Sequence, residues 1–160
     1  MSEFSVRPDW MAFCLPDISE AEVQADADVI RSGWWAKGPR TMEFQKKFAE
    51  YVGAKHCIAV NSCTAALHLA MILAGVKRGD AVFCQSLTFS ASANPVVYCG
   101  AKPVFIDSEQ ETWNMDPTFL EKAIIDRKEK TGQYPKAIIP VALYGMPYKI
   151  EEIMVIADKY

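Results

Sequence analysis

With 160 residues, 51% hydrophobic and 23% charged, and a formal net charge of -3, the chain has the make-up of a single α/β domain around one buried core. The slight negative charge and the lack of a Lys/Arg cluster argue against a nucleic-acid partner, which needs a basic face. The apolar run at 65–76 is interrupted by His68 and ends in a Gly/Lys/Arg turn, short of the roughly 20 residues of a membrane span, and Glu3, Arg7, Pro8 and Asp9 leave no apolar signal core, so a cytoplasmic location is expected. The five cysteines, Cys14, Cys57, Cys63, Cys84 and Cys99, are odd in number and lack CxxC spacing. Buried, reduced thiols are therefore expected, with neither a disulfide framework nor a metal site.

In chain order, Ile18-Ser19-Glu20-Ala21-Glu22 reads as the capped start of a helix reaching Arg31. An irregular loop at 32–39 contains Gly33, Trp34, Trp35, Lys37, Gly38 and Pro39, and an amphipathic helix follows at 40–52. Residues 1–55 thus form a helical arm and loop. From residue 56 on, short apolar runs alternate with helical ones, the pattern of parallel strands joined by crossover helices.

His56-Cys57-Ile58-Ala59-Val60-Asn61 is the first strand expected, followed by a helix at 64–74 rich in Ala and Leu. A second strand at 81–84 leads through Ser86-Leu87-Thr88-Phe89 into a helical stretch to Tyr98, stopped by Gly100. Pro103 to Asp107 is a third strand. Asp116-Pro117 is an N-cap with proline at the first helical position, opening a helix to about Lys128. A fourth strand is expected at 136–143, apolar enough to be buried on both faces, before a final amphipathic helix at 150–160. The whole reads as an α/β three-layer sandwich with a mostly parallel sheet.

Two places could carry chemistry. In Asn61-Ser62-Cys63-Thr64-Ala65-Ala66-Leu67 a strand end passes through small hydroxyl residues into a helix, whose first amides lack intrahelical partners and suit an anion such as phosphate. The plain alternative is that Ser62 or Thr64 only caps the helix. Phe89 follows a strand's C-terminal end, where open α/β sheets bind ligands; it could stack on a flat ring or pack into the core. His56 and His68 have no catalytic partners at suitable spacing and read as structural. Asp107, Glu109 and Asp116 read as turn and cap residues.

Together, Gly38-Pro39 before a Phe44-centred helix, Tyr51-Val52-Gly53-Ala54-Lys55-His56, the 60–70 segment, Gly79-Asp80-Ala81-Val82, the 87–94 segment, Gly100 to Asp107 and Ile139 to Gly145 closely resemble the DegT-type (DegT/DnrJ/StrS) sugar aminotransferases in order and spacing. The resemblance implies part of the large domain of a fold-type-I transferase that depends on pyridoxal 5'-phosphate (PLP), with the phosphate held by Ser62, Cys63, Thr64 and Ala65 and the pyridine ring stacked on Phe89. Cys63 stands where the family usually has glycine; a nucleophilic or redox role for its thiol is a lesser reading. The 33–39 loop resembles a segment near the active site, making Trp34, Trp35 and Lys37 candidates for substrate or partner contact.

The family's lysine, which holds PLP as a Schiff base, and the aspartate on the pyridine nitrogen are both expected beyond Tyr160. Lys37, Lys55, Lys102 and Lys136 read as solvated. No catalytic residue is therefore assigned within these 160 positions. The resemblance further implies amino transfer from an amino acid such as glutamate to a nucleotide-linked keto-sugar, and an active site between two subunits of a homodimer. Exposed sheet edges would favour self-association. The alternatives are a noncatalytic α/β binding module and a sugar dehydratase of the same family with histidine in place of lysine.

Overall fold

The structure, a computed structural model, describes residues 15–160, so Cys14 and the N-terminal residues Glu3, Arg7, Pro8 and Asp9 lie outside the described residues. The chain divides into two compact units, Met1–Ala59 and Val60–Tyr160. No helix among the described residues is long and apolar enough to cross a membrane.

In the first unit, α1 (Glu20–Ser32) starts at the N-cap Ser19, whose Oγ accepts the Ala21 amide while Glu22 accepts the Ser19 amide. This reciprocal capping box satisfies two of the donors that a helix start leaves open. Gly33 ends the helix at φ 75°, a left-handed turn that favours glycine. After the loop, α2 (Pro39–Val52) begins with proline at its start and ends at Gly53. The Gln45 side chain accepts the Ala59 amide at 2.9 Å and so ties the end of the unit to α2.

The second unit is built on three parallel strands, β1 (Ala81–Gln85), β2 (Lys102–Ile106) and β3 (Ala137–Ile139), in the order β2-β1-β3. Every residue of the central β1 is buried. Its alternate side chains serve opposite faces. Val82 and Cys84 join Met71, Val76, Val96, Ala101 and Ile139 beneath α3 (Cys63–Leu73) and α4 (Asn94–Tyr98). Ala81 and Phe83 join Ile106, Met115, Leu120, Ile124, Ile153 and Ile156 beneath α5 (Pro117–Thr131) and α6 (Ile150–Lys159). Helices on both faces of a parallel sheet make the three-layer arrangement expected. Each fully buried Val, Leu, Ile or Phe here contributes about 1.5–3 kcal/mol.

Some expected elements differ. Residues 56–61 form no strand: Ile58 is 72% exposed, no strand of the described residues pairs with the segment, and the Ala59 amide goes to Gln45. A strand exists through its ladder, and apolar β-branched residues alone do not supply one. The strand expected at 136–143 is only Ala137–Ile139. Pro140 has no amide to continue the ladder, and the chain then turns through a single 3-10 turn at Leu143–Gly145. The helical stretch before Tyr98 is a 3-10 turn, Ser90–Ser92, followed by the short α4; Gly100 closes it at φ 72°. Asp116 caps α5 as expected, accepting the amides of Thr118 and Phe119.

Candidate cofactor site

β1 connects to β2 through α4 on one face of the sheet, whereas β3 leads into α6 on the other. The segments leaving the C-terminal ends of the neighbouring β1 and β3 therefore diverge, and the crevice between them is the switch point at which open α/β sheets bind ligands. Gln85 closes β1 at this point with no exposed surface. Its Oε1 accepts the amides of Met115 (3.0 Å) and Val141 (3.4 Å), and its Nε2 donates to Leu87 O (2.8 Å) and Asn114 Oδ1 (3.2 Å). Asn114, equally buried, accepts the Leu143 amide at 3.0 Å and donates to Met146 O at 2.9 Å.

Sequence reasoning passed over this pair. A carboxamide ending an otherwise apolar central strand was the available signal, since a buried polar group must find partners. The turn before Asn114 is organised by Glu109, which accepts the amides of Glu111 and Thr112 and the Thr112 hydroxyl. The Thr112 hydrogen bond, above all, holds the Glu109 carboxyl below its ordinary range. Trp113 in this turn and Tyr144 after β3 both take left-handed φ, 63° and 52°, and both are exposed.

The start of α3 is formed by Ser62, extended at φ -160° and ψ 156°, whose Oγ accepts the Ala65 amide at 3.1 Å. Ala66 donates to Ser62 O at 3.1 Å. Ser62 is thus the cap that the plain alternative foresaw. The amides of Cys63 and Thr64 have no partner among the described residues, and the Ser62 hydroxyl proton is still available, because its oxygen serves only as acceptor in the cap. Cap and anion contact are compatible at this helix start. Cys63 is exposed and Thr64 and Ala65 are half-buried.

Phe89 is 79% exposed, which removes the reading of it as a core residue. It caps the Ser90–Ser92 turn, against which α3 packs, and the Thr88 and Ser92 hydroxyls meet at 2.8 Å. His68 on α3 lies edge-on to Tyr98 on α4, with ring centroids 5.5 Å apart, as a packing residue would.

Trp34, Trp35 and Lys37 lie in the first unit, Ser62, Cys63, Thr64, Ala65 and Phe89 in the second. The Trp35 indole N–H donates to Ile30 O at 3.0 Å, satisfying a carbonyl at the end of α1. Trp34 covers Gly38 so closely that a Cβ there would meet the Trp34 Cβ at 3.0 Å. It also lines a cavity with Asp28, Ser32 and Arg40. Lys37, Lys55, Lys102 and Lys136 are all exposed. Of the four described cysteines, all unpaired, only Cys84 is fully buried, and burial pushes its thiol up to about 11; the exposed Cys63 departs from the expected burial because it starts a helix at the surface.

A parallel sheet covered on both faces, with a switch point between β1 and β3, defines an α/β scaffold of the class that binds ligands at its strand ends. The chain belongs to the DegT/DnrJ/EryC1/StrS aminotransferase family, whose model matches residues 16–160. It is 50% identical over 146 residues to EpsN of Bacillus subtilis (strain 168), named as a candidate pyridoxal phosphate-dependent aminotransferase, covering 91% of this chain and 37% of that protein. It is 45% identical over 154 residues to the GDP-perosamine synthase of Caulobacter vibrioides, covering 91% of this chain and 40% of that enzyme. Among solved structures it resembles the PLP form of Spr1654, a candidate sugar aminotransferase from Streptococcus pneumoniae, at a TM-score of 0.80 and 34% identity, over 93% of this chain and 36% of that one. The chain thus spans less than half the length of these relatives.

Proposed function

We propose that this chain supplies the cofactor-cradling part of a PLP-dependent aminotransferase, which moves an amino group from an amino acid such as glutamate to the keto group of a nucleotide-linked sugar. The observation that carries the reading is the pair of open amides at Cys63 and Thr64 on a helix whose cap leaves a hydroxyl proton free, in the unit that also exposes Phe89. The names of the relatives agree with it. When bound, PLP supplies the electron sink that amino-group exchange needs.

The chain's own residues bind and orient. The amides of Cys63 and Thr64, with the Ser62 hydroxyl, hold the phosphate, and the positive end of the helix dipole favours its charge. Ala65, its amide committed to the cap, contributes a small side chain. Phe89 offers its face to the pyridine ring. Trp34 and Lys37 contact the substrate; Trp35 does so through its exposed ring, because its N–H is already engaged. The working protein is a cytoplasmic homodimer.

Replacing Cys63 tests the cradle without disturbing the helix. Ser62 is extended, which suits a residue before proline, and position 63 is the first of the helix, where proline is tolerated. Cys63→Pro removes one donor, whereas Cys63→Gly restores the family's residue and keeps it. With circular dichroism unchanged, Cys63→Pro should weaken inorganic phosphate and PLP binding about ten-fold or more, the worth of a hydrogen bond to a charged group, while Cys63→Gly binds at least as well as the parent. Equal phosphate affinity in all three proteins would refute the cradle.

A further inference from the structure

We infer that Gln85 is a positioning residue for the cofactor ring: with Asn114 it fixes the loop that carries Phe89 and the segment leaving β3 in one geometry. The inference rests on the PLP reading above and assigns part of that site's precision to a residue that touches neither substrate nor cofactor. An exposed side chain has little packing to hold it, and Phe89 is 79% exposed. Its place is therefore set by its backbone. That backbone is anchored on the far side by the Ser92 amide, which donates to Phe89 O at 2.9 Å, and on the near side by Leu87 O, which accepts from Gln85 Nε2 at 2.8 Å.

The Gln85 carboxamide can take only this orientation. Two lone pairs of Oε1 meet two N–H groups, and two Nε2 protons meet two oxygens, which uses its whole capacity. Turned over, the group would set oxygen against oxygen and N–H against N–H. The same side chain holds Val141, and through Asn114 it holds Leu143 and Met146, so both walls of the switch point share one buried junction.

Two variants and two probes test this. Inorganic phosphate reads the α3 start alone; PLP reads the same start plus Phe89. In the 15N-labelled chain, followed at the Cys63 and Thr64 amides, Gln85→Leu should weaken PLP about ten-fold while phosphate affinity stays within two-fold. Equal weakening of both probes in a variant whose circular dichroism matches the parent's would overturn the inference, as would unchanged PLP binding.

Gln85→Glu covers a failure of the leucine variant to fold. Its carboxylate confronts Leu87 O and Asn114 Oδ1 with lone pairs, and one donor returns on protonation. Its PLP affinity relative to the parent should therefore be low at pH 8 and recover toward pH 5.5, with relative phosphate affinity flat. A PLP ratio that does not change with pH counts against the role. If the parent binds neither probe, the PLP reading fails, and hydrogen exchange of the Ser92 amide decides separately whether Gln85 fixes the Phe89 loop: at least ten-fold faster exchange in either variant at pH 8, with α5 amides unaffected, upholds that hold on the loop, and an unchanged rate overturns it.

Discussion

Asn114 Oδ1 accepts a hydrogen bond from Gln85 Nε2 at 3.2 Å and another from the Leu143 amide at 3.0 Å, so one buried oxygen joins the end of the central strand to the segment after β3. Neither side chain has exposed surface. Polar side chains serve there because β1 and β3 end side by side and send their continuations to opposite faces. The backbone groups freed at that break find their partners in these two buried side chains.

Removing the oxygen should be costly. Asn114→Leu leaves the Gln85 amide group, the Leu143 amide and Met146 O short of a partner, at about 1–3 kcal/mol for each group that stays buried. Denaturant unfolding should show a loss of about 2–4 kcal/mol. A loss below about 0.5 kcal/mol would mean that the junction does not hold the sheet ends together.

Phe89→Ala should behave in the opposite way. The ring is mostly exposed, so stability should change by less than about 0.5 kcal/mol. PLP binding should fall about ten-fold through the lost stacking and contact area, and inorganic phosphate binding should not change. Titration of both ligands against parent and variant checks this; parallel changes in the two would remove Phe89 from the ring site.

Much of this was legible in the sequence where local rules and tertiary context agree. The Ser19 capping box, the Asp116-Pro117 start of α5 and the apolar β1 declare themselves in a few residues, and each is where it was expected. The helix start at Ser62 was legible too, including its capping role. What local reading could not supply was pairing. Residues 56–61 look like a strand but pair with no strand among the described residues, and β3 is cut short by a proline whose effect depends on what lies beside it. Gln85 and Asn114 are 29 positions apart in sequence, and nothing in either segment announces the other.

The cysteines should separate by reactivity. Burial raises the Cys84 thiol to about 11, so at pH 8 it is both protonated and shielded, whereas Cys63 is exposed. Iodoacetamide at pH 8 followed by mass spectrometry should label Cys63 well before Cys84 and leave Cys84 unmodified until the protein is unfolded. Early labelling of Cys84 would contradict the packing between the sheet and α3. Because its folded value lies above the ordinary 9.0, whatever burial of the neutral thiol contributes to stability is present below pH 9 and is lost as pH rises toward 11.

The contact between α5 and α6 should show its own pH window. Glu121 accepts from Lys159 Nζ at 2.7 Å and from the Tyr160 hydroxyl at 3.0 Å, and these bonds, Lys159 first, hold its carboxyl below the ordinary 4.5. The same partnership, through Glu121 first, raises Lys159 above 10.5. A lowered carboxyl pKa means stabilisation that is present above pH 4.5 and lost as acid protonates the folded form. A raised ammonium pKa means stabilisation present below pH 10.5 and lost in alkali. Between these limits the pair is intact. Glu121→Gln removes the charge while retaining an acceptor, so its melting temperature should lie below the parent's at pH 7, with the gap closing as pH is lowered from 4.5 toward 3. A difference that persists undiminished at pH 3 would show that Glu121 acts there through packing and not through its charge.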